Sequence, residues 1–462
     1  MISYASLYQV KEMVSVDYQQ AASYISSYTD YEKMPMPHDP AFYDLRRVEE
    51  LLARLGNPHL RARSVHIAGT NGKGSTAAMI ASALTTAGYT TGLYTSPHLH
   101  TWRERIRVSN ELISEQELAA TIERVKPEVE AVNNKATYGQ LTTFELLTAL
   151  CFTHFQLKGA DFQVLEVGLG GRFDATNVIQ PEVCVITSIS LDHTDVLGNS
   201  LAEIAAEKAG IIKPNCVVVT SPQSDEAAEV IKEACNNRGV ELLKVGSDVI
   251  WQGLGSNLNH QLIQVKGRLG SYKLSIPLLG DHQMGNAATA VATLEVLVER
   301  GFNISTDSII KGLAGVSWPG RLQILGYHPT LITDGAHNPD AARRLREFIE
   351  QHLNFDQAIL VIGSSSDKDI SGVISELAPV FRRVIVTRSK HPRAAETPPI
   401  VAEFSRHGIK AQVANTIPEA LSLALSLARD KDLICATGSL FVVAETIEHT
   451  RLQDHPPRSK PC

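Results

Sequence analysis

The chemistry of this chain starts at Gly69-Thr70-Asn71-Gly72-Lys73-Gly74-Ser75-Thr76, which follows the apolar run Val65 to Ala68 and opens the helical run Ala77 to Ala87. Glycines at such a turn let backbone N–H groups point inward at a phosphate. The helix N-terminus adds its positive dipole end, and Lys73 adds a full charge. Ser75 or Thr76 offers a hydroxyl to a magnesium ion. Thr70, Asn71, Gly72, Lys73, Gly74, Ser75 and Thr76 are therefore the candidate nucleotide ligands. The spacing is shorter than the usual Walker A pattern, because Gly69 lies three residues before Gly72. The alternative is a tight turn that binds nothing; the strand before it and the helix after it argue for phosphate.

Three further apolar runs end in polar residues. Thr95-Ser96-Pro97-His98 follows Thr91 to Tyr94. Glu166 closes Phe162 to Leu165 and precedes Gly168-Leu169-Gly170-Gly171-Arg172. Asp192-His193 follows Val183 to Ser190. In a parallel sheet, ligands gather at the carboxyl ends of strands. A carboxylate closing the strand beside a phosphate loop stands where nucleotide-bound magnesium needs an anionic oxygen. Taken singly, Ser96-Pro97 also reads as a turn, Glu166 as half of a salt bridge and His193 as a helix cap. Lys208, on Glu203 to Gly210, reads by residue type as one charge on a solvated helix.

The elements that must position these groups alternate along the chain. Strands are expected at 64–68, 91–95, 162–167, 182–187 and 216–220, with helices such as Phe144 to Gln156 and Leu201 to Ile211 between them. A second series has strands near 330–334, 358–362, 383–387 and 432–436. There Asn338 suits an N-cap and Pro339 the first helical position. Leu345, Phe348, Ile349 and Leu353 then give the helix one apolar face. The fold class is α/β. A P-loop domain with a mostly parallel sheet is expected over 1–317, and a smaller Rossmann-like domain over 318–462, with a hinge at Gly315 to Gly320.

A length of 462 residues suits two domains. A net charge of −7 with no Lys/Arg run argues against nucleic acid or an anionic membrane as partner. Six scattered cysteines form no CxxC pair, and no apolar run has signal or membrane-span length, so a cytoplasmic protein with free thiols is expected. Met1 to Val14 reads as an amphipathic leader and Asp454 to Cys462 as a frayed tail.

Beyond single residues, the chain closely resembles folylpolyglutamate synthase and its bifunctional dihydrofolate synthase form, within the Mur ligase superfamily. The resemblance runs from about Asp39 to Glu445. It is carried by the phosphate loop, Thr95 to His98, Thr143-Phe144-Glu145, Gly170 to Asn177 and Leu191 to Thr194. Glu207 to Ile211, Gly280 to Gln283 with Asn286, and Trp318-Pro319-Gly320-Arg321 follow. Asp334 to Pro339, Asp367-Lys368-Asp369 and Thr437 to Leu440 complete it. Departures are the leader, the tail and the serine-rich loop Gly363 to Ser366.

The resemblance implies an amide ligase that uses ATP to convert a carboxylate to an acyl phosphate, which the amine of L-glutamate then attacks. The acceptor is dihydropteroate or a reduced folate. It implies Lys73 and the loop N–H groups on the β- and γ-phosphates, Ser96 and Glu166 on one Mg2+, and His193 on a second. Lys208 matches a lysine carbamylated in the family, which would make it an anion at that second metal. Thr142, Thr143, Phe144, Glu145, Phe173, Asp174 and Ala175 match pterin-contacting segments. Asn286, Arg321 and Asp334 are implied at the nucleotide, and His337 at the surface between the two domains. Extension of both dihydropteroate and folates is the preferred reading, with a folate-only enzyme the alternative, and the architecture suits a monomer. A ligase of cell-wall precursors is the nearest rival. A switch GTPase would need Asn-Lys-x-Asp, yet Asn134-Lys135 is followed by Ala136-Thr137. A nucleotide-binding scaffold without activity would have no use for Lys73, Glu166, His193 and Lys208 together.

Overall fold

The computed structural model describes residues 16–34 and 44–454. The expected leader, and the tail beyond Asp454, lie outside them.

Eight strands form the first sheet: β1 (Arg63–Ala68), β2 (Thr91–Tyr94), β3 (Ile106–Val108), β4 (Glu111–Leu112), β5 (Phe162–Glu166), β6 (Pro181–Ile186), β7 (Val217–Thr220) and β8 (Leu242–Lys244). Their spatial order is β4-β3-β2-β5-β1-β6-β7-β8. All pairings from β2 to β8 are parallel; β3 and β4 add an antiparallel edge. Both faces are covered, so β5 is buried along its whole length and β1 everywhere but Arg63; the polar residues they bury include Ser64, His66 and Gln163. Val65 and Ile67 pack on the core that holds the helices Lys73–Thr86 and Asp281–Glu299. Tyr94 and Leu165 face the opposite core, which includes the helix Thr143–Leu157. The five expected strands are present to within a residue at either end. The expected helix over 201–211 stops at Lys208 and tightens into a 3₁₀ turn over Ala209–Ile211.

Between the two strand series stands an antiparallel sheet of β9 (Ile250–Ser256), β10 (Gln261–Lys266) and β11 (Ser271–Ile276). The alternating burial of β11 matches a sheet with one wet face.

The last sheet contains β12 (Gln323–Gly326), β13 (Thr330–Thr333), β14 (Ala358–Ile362), β15 (Arg383–Val386), β16 (Gln412–Val413) and β17 (Leu433–Thr437), in the order β12-β13-β17-β14-β15-β16. It is parallel except at β12. Asn338 caps the helix Pro339–His352, its side chain accepting from Ala341 N. Among the described residues no helix is long and apolar enough to cross a membrane.

Candidate active site

Strand order explains why the four polar strand ends meet. β2, β5, β1 and β6 are consecutive neighbours, so Ser96, Glu166, the phosphate loop and Asp192-His193 emerge side by side. From the last sheet, β13, β17, β14 and β15 are also consecutive, and residues following each of them line the same cleft.

The phosphate loop can be built only with glycine at two places. A Cβ on Gly69 would lie 1.8 Å from Thr187 Oγ1, and one on Gly72 would lie 2.5 Å from Asn286 Oδ1. Gly72 also has φ +88°, which side-chain-bearing residues rarely adopt. The N–H groups of Thr70 and Asn71 donate to Ser188 O at 2.9 and 3.2 Å. They anchor the loop to the segment after β6 and are not offered to a ligand. The N–H groups of Gly72 to Ser75, at the helix start, are the ones left for an anion.

A pocket of about 180 Å³ opens above this helix. Gly72, Lys73, Gly74, Ser75, Ser96, Glu166, His193, Lys208, Asn286, Arg321, Asp334 and His337 all line it, as do Thr70 and Asn71. Asn71 turns its amide to Asn338 and Asp340, at 3.4 and 3.1 Å. Thr76 is fully buried, its hydroxyl lacks a partner, and it does not reach the pocket; Ser75 does, accepting from Gln283 Nε2 at 3.3 Å. The two hydroxyls are adjacent on a helix and point to different faces, a choice the sequence left open.

Burial sets the charges here. It lowers the Lys73 ammonium from its ordinary value, against the pull of Glu166 and Asp192. It raises the Glu166 carboxyl, opposed by Lys73 and by a 3.3 Å hydrogen bond from Ser96 N. Lys208 is 4% exposed, and burial, then repulsion by Lys73, brings it to about 7. It is not the solvated helix charge that residue type suggested. Burial and the Lys368 ammonium hold His193 down to about 4, so its ring is neutral.

The sequence reading assigned no role to Lys368, which donates to Asp192 Oδ1 at 2.6 Å and lies 3.0 Å from His193 Nε2. His337 lies 3.5 Å from the other Asp192 oxygen. Although burial acts to raise Asp192, His337 and Lys368 hold it far below the usual carboxylate range. Asp334 accepts from Leu322 N and Ala336 N at 2.8 and 2.9 Å, so it shapes the turn after β13. The signal for Lys368 was its place in Asp367-Lys368-Asp369, but only the fold brings that motif to His193.

A second cleft of about 460 Å³ continues from the first through Ser96, Pro97, Gly168 to Gly170, His193 and His337. Thr142, Phe144, Glu145, Phe173, Asp174 and Ala175 line it, facing Ser365, Lys368, Arg393 and Phe441 from the last sheet. Thr143 does not line it: it is buried and donates to Tyr28 O at 3.1 Å. Glu145 accepts from Arg47 Nε at 3.0 Å and from Thr142 N at 2.8 Å. The four acceptor positions of Asp174 are taken by Gly168 N, Leu169 N, Thr176 N and Thr176 Oγ1. Asp174 thus anchors the glycine-rich turn after β5.

Among the described residues no three His, Cys, Asp or Glu side chains converge as a metal cage. The donor set still fits magnesium, which takes one or two carboxylates and completes its shell with hydroxyl, phosphate and water oxygens. Glu166, buried with a single backbone donor, is such a carboxylate.

The chain matches two family models in tandem: the Mur ligase middle domain over residues 67–294, and the Mur ligase glutamate ligase domain over 320–440. Fold and site together thus define a Mur ligase, an ATP-dependent ligase. It is 36% identical over 381 residues to the dihydrofolate synthase/folylpolyglutamate synthase of Bacillus subtilis, covering 82% of this chain and 86% of that one. The folylpolyglutamate synthase of Mycobacterium tuberculosis complexed with ADP superposes with TM-score 0.87 at 32% identity, covering 96% of this chain and 99% of that one. E. coli FolC in complex with DHPP and ADP gives TM-score 0.83 at 29% identity over the same shares. The chain belongs to the dihydrofolate synthase/folylpolyglutamate synthase family.

Proposed function

We infer that this enzyme joins L-glutamate to dihydropteroate and to reduced folates at the expense of ATP, releasing ADP and phosphate. The observation that carries this reading is the continuity of the two clefts at Ser96 and Gly168 to Gly170, which lets a carboxylate in the wider one reach the phosphate in the narrower one.

ATP lies with its β- and γ-phosphates on Lys73 and the N–H groups of Gly72 to Ser75, and with Asn286, Arg321 and Asp334 around the nucleotide. The pterin lies among Thr142, Phe144, Phe173 and Ala175. A carboxylate oxygen of the acceptor attacks the γ-phosphorus, the bond to the β-phosphate oxygen breaks, and an acyl phosphate forms. Lys73 and Arg321 stabilise the charge that develops. Lys368 and Arg393, cations on the opposite wall, hold the carboxylates of the incoming glutamate. Its neutral amine attacks the acyl carbon and phosphate leaves. Asp192, held ionised by His337 and Lys368, is too weak a base for the ammonium proton; it fixes Lys368 beside the incoming glutamate, and the proton passes to solvent.

Two magnesium ions are part of this reading, with Ser96 and Glu166 at one and His193 and Lys208 at the other; when bound they neutralise phosphate charge. Lys208 serves as a carbamate, formed when its neutral amine adds carbon dioxide and loses a proton. Its burial and its value of about 7 support the neutral amine this needs. The enzyme works as a cytoplasmic monomer of two domains, 1–317 and 318–462, closing about Gly315 to Gly320.

An acceptor panel tests the substrate assignment. With ATP and L-glutamate, mass analysis should find dihydrofolate from dihydropteroate and longer glutamate tails from tetrahydrofolate. Tail extension without dihydrofolate would leave a folate-only enzyme. Turnover with a cell-wall precursor alone would overturn the reading.

A further inference from the structure

Trp318 opens the segment that carries the chain from the first module to Arg321, and its indole does not end in solvent. A Cβ on Gly74 would lie 3.0 Å from Trp318 Cζ2 and 3.2 Å from Trp318 Nε1, so the ring rests directly on the phosphate loop. On its face, 5.0 Å from the ring centre, sits the Arg107 guanidinium from β3. Two residues on, a Cβ on Gly320 would lie 3.0 Å from Val443 and 3.5 Å from Leu99, so the same short segment also packs on the helix Leu440–Asp454 and on the loop after β2. Arg321 then enters the phosphate pocket.

We propose that Trp318 is a positioning residue that registers Arg321 against the phosphate loop by resting its indole on Gly74. The Arg107 guanidinium clamps the outer face of the ring through a cation–π contact. The ring neither lines the pocket nor reaches a reacting atom. It transmits: where Gly74 moves, the indole and the segment behind it move too. An error of about an ångström in a group on the transferring phosphate is enough to cost about two orders of magnitude in rate. The inference rests on the nucleotide reading of the pocket.

The test uses the full-length enzyme, with ADP binding measured by calorimetry beside steady-state kinetics. Binding of ADP by the wild type checks the nucleotide reading itself, and its failure would overturn that reading as well. Trp318→Leu should lower kcat about a hundredfold, weaken ADP binding and raise KM for ATP, while KM for the folate and the melting temperature stay near wild type. Gly74→Ala should do the same by pushing the ring away. In the double variant the smaller leucine makes room for the new methyl group, so the two defects should not add. Trp318→Phe keeps an aromatic face for Arg107 and should recover most of the affinity. The indole emission change on adding ADP should be largest in wild type and much smaller in Trp318→Phe. Unchanged ADP affinity in Trp318→Leu, or fully additive defects in the double variant, would overturn the proposal. Gly74→Ala also brings its methyl group 3.3 Å from Glu166 Oε2, so should Trp318→Leu fold poorly the emission change decides: no change in wild-type indole emission on adding ADP, or the same change in Trp318→Phe, would overturn the proposal.

Discussion

In the phosphate pocket half-buried Lys73 and buried Glu166 and Lys208 have no ion pair within 4 Å among the described residues, whereas in the neighbouring cleft Arg47 is clasped by Glu145, and Glu32 by Arg105 behind it. The first arrangement costs stability, because each charge is desolvated with no ion-pair partner in contact and only more distant charges or single hydrogen bonds to offset it. The second has its charges neutralised inside the protein, and Asp174 is likewise saturated by its own turn. The difference divides the labour. On the proposed reading, the open valences in the narrow pocket await phosphate and metal, while the wall of the wide cleft built from Arg47, Glu145 and Asp174 is finished: its polar groups hold shape and its aromatic rings present a surface.

The largest effect should come from the open side. Lys73→Ala should lose on the order of 10²–10³ in turnover, since it removes a cation from the transferring phosphate. Its melting temperature should not fall, because the lost charge had no ion-pair partner. A marked fall in stability would place Lys73 with the structural charges and break the contrast.

On the closed side the order reverses. Arg47→Met leaves Glu145 buried without its cation and should cost about 3–5 kcal/mol of unfolding free energy, read from denaturant midpoints. Adding Glu145→Gln, which keeps the helix-capping oxygen, should recover part of this. A neutral effect on stability would mean that water reaches the pair.

Lys208 gives a test with a sign. Its folded value of about 7 lies below the lysine value of 10.5, so between them the unfolded chain binds more protons and stability rises with pH. Lys208→Met removes that term. In metal-free buffer the variant should melt above wild type at pH 6, and the gap should narrow from pH 7 towards 10. The same residue should matter for catalysis: Lys208→Ala should be nearly inactive, with partial rescue by formate or acetate. A pH-independent gap would show that Lys208 is not desolvated as described.

The smallest effect separates neighbours. Thr76→Val should leave turnover unchanged and add about 1 kcal/mol, because it removes a buried hydroxyl with no partner. Ser75→Ala should weaken the magnesium response. Equal loss in both would return Thr76 to the pocket.

Legibility in the sequence followed the same line. The phosphate loop, Glu166, Asp192-His193 and the strand series could be read because each is local: an apolar run, a breaker and a cap. The antiparallel strands over 250–276 were not placed. β9 carries Gly253 and Gly255 and is exposed along most of its length, so it lacks a burial signature. Nor could residue type tell that Lys208 is buried, that Thr143 turns towards Tyr28, or that Lys368 reaches Asp192 across 176 positions. These depend on contacts between distant segments, which no local pattern encodes. The resemblance supplied the importance of Lys208; only the fold gave a physical reason for it.

Asn338 begins a helix and touches the phosphate loop at once. Its oxygen accepts from Ala341 N at 2.9 Å and, at the longer distance of 3.4 Å, from Asn71 Nδ2, while its NH₂ donates to Asn71 Oδ1 at 3.1 Å in the phosphate loop. The helix cap is therefore complete without the crossing contact. If the two halves part, the Pro339–His352 helix loses a neighbour but not its start, so no refolding step delays the return. Hydrogen exchange would register this as an Ala341 amide equally protected with and without ADP. One side chain thus works as a detachable coupling, uncoupled from the helix it begins.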